Sequence, residues 1–183
     1  MPRYLTTLCR TIDKTNTFFF KISVFLTLLL VLLVTKEVIA RHFFKESSVA
    51  MQELSWHFFG TIFMLAAPYT YQKGGHVKVD IFHRTLSNPA KNILERVGII
   101  LFLFPTCLIL ILYGYDYALA ARGFASPEAD NSLWQFLLQG EASSDPGGLP
   151  ARWIIRSVFP FGGVLLLFQG VSQFIKTWDK GDM

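Results

Sequence analysis

Few residues in this chain have the types and spacing to do chemistry. His76, Asp80 and His83 stand at i, i+4 and i+7, which on a helix would set three metal-capable side chains on one face. They follow Gly74-Gly75, however, and a glycine pair marks a turn at which a helix has hardly begun, so a capped turn is favoured over a metal site. Cys9 and Cys107 lie far apart, one in a basic leader and one in the middle of an apolar run, which supports neither a disulfide nor a redox pair. Haem held between helices needs two axial histidines at matching depth, and only His57 lies inside an apolar run. A glycine-rich phosphate loop, a nucleophile elbow and an H-E-x-x-H pair are all missing from the sequence. The expectation is a protein with no catalytic residue, no metal and no cofactor: not an enzyme.

The elements that would position these residues are membrane helices. In 183 residues, 52% of the side chains are hydrophobic, only 16% are charged and 18 are phenylalanine. Soluble domains carry about 25% charge. Charges fall in clumps, and between them lie uncharged windows at 54–72, 97–115 and 157–175. At 1.5 Å per residue each window covers about 28 Å, close to the roughly 30 Å of bilayer hydrocarbon. A shorter window, 22–34, is extended by Phe18 to Phe20, and Lys21 and Lys36 at its ends can snorkel to the interfaces. Four transmembrane helices are predicted in an all-α integral membrane protein, one membrane domain over 1–183, with spans near 18–40, 54–72, 93–119 and 153–176 and an outer loop at 120–152. A secretory signal is the alternative for the first run, but that run is longer than the usual ~7–15 residues. In the leader, Leu5, Leu8, Cys9 and Ile12 share one helical face, which predicts a short N-terminal amphipathic helix lying on the membrane.

Positive charge sets the orientation. With the N-terminus cytoplasmic, the inner side collects Arg3, Arg10, Lys14, Lys21, Lys73, Lys78, Arg84, Lys91, Arg96, Lys176 and Lys180. The outer side keeps Lys36, Arg41, Lys45, Arg122, Arg152 and Arg156. Both termini are therefore expected inside, and the acidic segment with Glu128, Asp130, Glu141 and Asp145 outside. The net charge of +4 is mostly this topology signal, and no basic patch with interleaved aromatics suggests nucleic acid. Asn88-Pro89 reads as a helix start, with Lys91 and Glu95 paired at i and i+4. Pro105 should kink the third helix, leaving the Leu101 carbonyl without a donor. Pro160, Gly162 and Gly163 should bend the fourth and let another helix approach closely. Trp153 and Trp178 bracket that helix at opposite interfaces. Intramembrane charges, the usual pointers to a solute path, are missing from the core of three of the four spans.

From Arg41 to Asp80 runs R-H-F-F, a polar turn, Glu53 opening an aromatic-rich span, and then G-H-V-K-V-D at 75–80. Farther on come "DPGGLPARW" at 145–153 and "FPFGGVLLLFQG" at 159–170. Together these stretches resemble the small membrane subunit of the tripartite ATP-independent periplasmic (TRAP) transporters, the DctQ-like family, in its longer-loop members. The resemblance covers about residues 18 to 176. His42 departs from it, where tyrosine is common, and so do Gly75, where a polar residue is frequent, and the long outer loop.

The resemblance implies a subunit of the bacterial inner membrane, multi-pass, that braces a large permease subunit during sodium-coupled uptake of an organic solute, a carboxylate by preference, delivered by a periplasmic substrate-binding protein. The alternative is the membrane anchor of a haem-containing respiratory complex. The residues that the TRAP-family resemblance marks as partner-contact or motif candidates are Arg41, Glu53, Gly75, His76, Asp80, Asp145, Gly147, Gly148, Pro150 and Arg152. Arg41 or Lys45 is expected to pair with Glu53 at the outer interface. Asp145 to Trp153 is expected on the outer surface, as a landing stretch for the binding protein or as a turn into the last helix. Membrane lipids are the remaining partners.

Overall fold

The computed structural model describes residues 2–74, 87–123 and 140–179. Among them every regular element is helical: α1 (Arg3–Ile39), continued by a π-turn (Ala40–Phe44); α2 (Val49–Gln72); α3 (Asn88–Gly98), followed by a π-turn (Ile99–Leu103); α4 (Phe104–Arg122); and α5 (Trp153–Asp179). Among the described residues three runs are long and apolar enough to cross a membrane: Arg3–Phe44, Ala90–Arg122 and Trp153–Trp178. The window 54–72 belongs to α2 and is not among them. It lacks charge but contains Trp56, His57, Thr61, Pro68, Tyr69, Tyr71 and Gln72, and a charge-free segment is not thereby an apolar one.

Packing makes α5 the centre. It lies against α4, α2, α1 and α3, and α1 pairs with α2. In the most apolar 18-residue window of α1 only 6% is buried inside the protein, against 28% for α5, so α1 is a peripheral helix facing lipid or a partner. Its exposed face carries Val24, Phe25, Leu28, Val31 and Leu32. Its buried positions Cys9, Asn16, Ser23 and Glu37 fall on one heptad register and are mostly polar. This inside-out pattern suits a bilayer, where lipid solvates the leucines and helices are held by small residues and polar contacts. Small residues work the same way on α5. A Cβ on Gly162 would lie 2.9 Å from the Met64 Cβ of α2, and one on Gly114 would lie 2.9 Å from the Pro160 Cδ. The close approach expected of the 160–163 stretch is present on two sides of the helix.

Local punctuation differs from expectation in four places. The leader is helical but is no separate element: α1 runs unbroken from Arg3, and the 42 residues to Phe44 extend about 63 Å, roughly twice the hydrocarbon thickness. Arg3, Arg10 and Lys14 turn to solvent while Cys9, Asp13 and Asn16 meet α5, so nothing interrupts the helix. Pro105 disturbs the helix through a π-turn just before it, in which the Phe104 N–H reaches back to the Ile99 carbonyl. Helix α3 is capped at Ser87, one residue before the expected start. Glu95 accepts from Gln173 Nε2 of α5 at 3.0 Å and forms no ion pair with Lys91, because the packing of α3 on α5 brings it that partner.

Candidate functional site: a polar cluster at each end of the bundle

At the end opposite the termini, residues 140–152 return the chain to α5 as a closed loop. The Glu141 N–H bonds the Ala121 carbonyl at 2.7 Å, Arg152 N–H bonds the Glu141 carbonyl at 2.9 Å, and Ser143 N–H bonds the Leu149 carbonyl at 3.0 Å. Gly147, at φ 81°, makes the left-handed step that a side chain would strain. Glu53, in the first turns of α2, holds this loop: it accepts a short hydrogen bond from the Ser143 hydroxyl and another, at 2.6 Å, from the Leu149 N–H. The Ser143 bond first, and then the Leu149 bond, hold its carboxyl below the usual range. A Cβ on Gly148 would stand 2.9 Å from Glu53 Oε2, so the absence of a side chain there lets the carboxylate reach the backbone.

The expected pairing of Glu53 with Arg41 or Lys45 is therefore corrected: its partners come from the loop, ninety or more positions away in sequence. Arg41 lines a separate cleft of about 660 Å³ between the end of α1 and the start of α2, with Glu37, His42, Lys45, Gln52 and Trp56. Glu37, 7% exposed, accepts from the Ser48 N–H at 3.1 Å and fixes the turn between the two helices. Arg152 lies 3.8 Å from Glu141, and Arg156 makes the closer pair, 2.8 Å, while stacking over the Tyr117 ring at 4.0 Å. Asp145 and Pro150 are exposed, and Ala151, at φ 59°, and Arg152 stand between Pro150 and the start of α5. His57 lines a cavity of about 400 Å³ with Glu53, Tyr117, Asp145, Arg152 and Arg156. Gly75, His76, Asp80 and His83 lie outside the described residues.

The second cluster joins α1 to α5 at the end that carries the termini. Asp13 receives Lys176 Nζ at 2.6 Å on one oxygen, and Gln169 Nε2 at 3.2 Å and Ser172 Oγ at 3.4 Å on the other. Asn16 Nδ2 donates to Gln169 Oε1 at 2.6 Å, and both residues are almost fully buried. On the far side of α5, Arg96 donates to the carbonyl of Thr177 at 2.6 Å and lies over the Trp178 ring. Sequence reasoning singled out none of Asn16, Ser143 or Gln169. The available signal was a polar residue on the heptad seam of an otherwise apolar helix, where an unpaired amide is costly.

Both clusters tie helices and loops of this chain to one another, and they stand at opposite ends of apolar helices. Such an arrangement defines a helical membrane protein whose own polar contacts hold it together. The family described as "Tripartite ATP-independent periplasmic transporters, DctQ component" matches residues 30–180, and the chain belongs to it. It is the small permease component of a TRAP transporter and not an enzyme. Membership in a transporter family replaces the haem-anchor alternative. No curated protein matches the chain at a significant level.

Proposed function

We propose that the chain spans the bacterial inner membrane four times with both termini cytoplasmic, and that it braces the large permease subunit for sodium-coupled, binding-protein-dependent uptake of an organic solute, a carboxylate by preference. The family match over residues 30–180 carries this reading. Two features of the bundle support it. The polar interior is engaged in holding α1, α2, α4 and α5 together, which suits a fixed frame, and the broad apolar faces of α1 and α4 are open to lipid or to a larger neighbour. In this reading α2 serves as the fourth span, flanked by α1 and α5. Its outer end, with the Glu53-held loop and the exposed Asp145, forms a rigid rim on which a binding protein can dock, and charge at a rim steers encounter. Arg41, His76 and Asp80 are proposed as contacts to the large subunit.

Reconstitution tests the reading. The large permease, purified with and without this chain, is placed in liposomes under a sodium gradient and supplied with its solute-loaded binding protein. Uptake should require the chain and return on its addition. Full-rate uptake by the large subunit alone would remove the bracing role.

A further inference from the structure

Beside the Asp13 cluster lies a cavity of about 350 Å³ lined by Arg10, Lys14, Thr17, Phe18 and Lys21 of α1 and by Gln72 at the end of α2. We propose that it holds the headgroup of an anionic phospholipid, phosphatidylglycerol. Three observations lead there. Arg10, Lys14 and Lys21 occupy i, i+4 and i+11, one stripe of a continuous helix, and make no ion pair among the described residues. Asp13, the acid at the same cavity, does not neutralise them, because Lys176, Gln169 and Ser172 already hold it. The side-chain Oε1 of Gln72 is buried and has no hydrogen-bond donor among the described residues. A buried acceptor without a donor is costly, so its natural complement is a ligand that brings one.

Depth and chemistry select the ligand. Lys21 stands directly before the apolar run 22–34, at the hydrocarbon boundary, and Lys14 is about 10 Å farther along the axis, in the headgroup layer. Phe18, 60% exposed beside them, offers an apolar surface to the first part of an acyl chain. A phosphodiester satisfies the cations, as basic pockets between membrane helices do for anionic lipids. Gln72 lines the cavity, and a turn of its amide toward the lumen brings Oε1 to the glycerol hydroxyls of phosphatidylglycerol, which supply the donor that it lacks. A bare phosphate supplies the charge without the acyl anchor, and phosphatidylmethanol supplies the charge and the anchor without the donor.

The full chain, delipidated in a mild detergent, is titrated with phosphatidylglycerol, phosphatidylmethanol, phosphatidylcholine and soluble glycerophosphoglycerol, and bound lipid is counted by native mass spectrometry. Phosphatidylglycerol should be retained above the other three. Arg10→Gln, Lys14→Gln and Lys21→Gln should each weaken it roughly fivefold, as about 1 kcal/mol per interfacial cation implies. Gln72→Leu should erase the preference over phosphatidylmethanol and leave the preference over phosphatidylcholine. Helical circular dichroism in phosphatidylcholine monitors the fold of each variant, and all four changes lie at the rim of the bundle. Equal retention of phosphatidylglycerol and phosphatidylcholine, or wild-type retention in the triple cation variant, overturns the proposal. Saturation by glycerophosphoglycerol at the same concentration as by the lipid overturns the lipid as the source. A preference over phosphatidylmethanol that survives Gln72→Leu overturns the role of Gln72.

Discussion

Glu53 shows at the scale of one residue how a carboxylate outside the hydrocarbon can organise a loop. Replacing it with alanine leaves the Leu149 N–H and the Ser143 hydroxyl without an acceptor, a loss of about 1 kcal/mol at a site that water reaches in part. Glu53→Ala should therefore speed amide exchange at 143–149 and weaken assembly or uptake, while membrane insertion stays normal. Wild-type exchange in that variant would show that the loop holds itself. The pH dependence has a definite sign. A carboxyl whose folded pKa lies below its ordinary value stabilises the loop at every pH above that ordinary value, 4.5, and the contribution is lost as pH falls through the lower folded value. The protection factor of the Leu149 amide should hold from pH 7 to about 5 and decline only in stronger acid. Gly148→Ala tests the same contact sterically. Its Cβ would meet both Ser143 and Glu53, so it should mimic Glu53→Ala without removing any charge.

Helix contacts decide stability at the scale of elements, and here they are polar on one side of α5 and small on the other. Asn16→Ala strands Gln169 in a site from which water is excluded, and interhelical bonds of this kind in membranes contribute about 1–2 kcal/mol. The melting temperature in detergent should fall. The double variant Asn16→Ala/Gln169→Ala should fall by less than the sum of the single changes, since the pair is one interaction. Gly162→Leu acts by volume, because its first carbon would already crowd the Met64 Cβ and carbonyl. The Met64 backbone cannot swing aside as its terminal methyl can, so α2 must move off α5 at a cost of about 1–3 kcal/mol. Disulfide trapping between cysteines placed on α2 and α5 should then lose efficiency. The long α1 belongs to this scale too: it is one helix because α5 receives its polar seam well past the hydrocarbon boundary.

Orientation belongs to the whole molecule and follows from where the cations gather. A reporter fused after Met183 should be cytoplasmic, and one inserted near Ser132 should be exported. A cytoplasmic signal at 132 would leave three spans, the number that length and apolarity alone support, and α2 would then lie within the protein without crossing. The broad apolar faces of α1 and α4 make the same molecule dependent on its surroundings, and extraction with a harsh detergent should separate it from the large subunit before its own helices come apart.

The sequence by itself determined the class of element, the start of α5, the glycine approaches on that helix and the family. Each of these rests on local pattern: apolar length, proline and glycine positions, and short motifs at fixed spacing. It also marked Glu53 as a residue of consequence, but gave it the wrong partner. Arg41 and Lys45 were the nearest opposite charges in the chain, whereas the folded chain brings Ser143 and Leu149 to it and turns Arg41 into another cleft. Which polar residue meets which across a bundle depends on the rotation and depth of whole helices, and those are set by packing over many residues at once. The continuity of α1 was hidden for the same reason, since a charged leader reads as interfacial until a second helix is present to cover its polar seam. Only the tertiary structure decided that Asp13, Asn16, Gln169 and Lys176 form one cluster, because the residues that join α1 to α5 are more than one hundred and fifty positions apart and no local rule relates them.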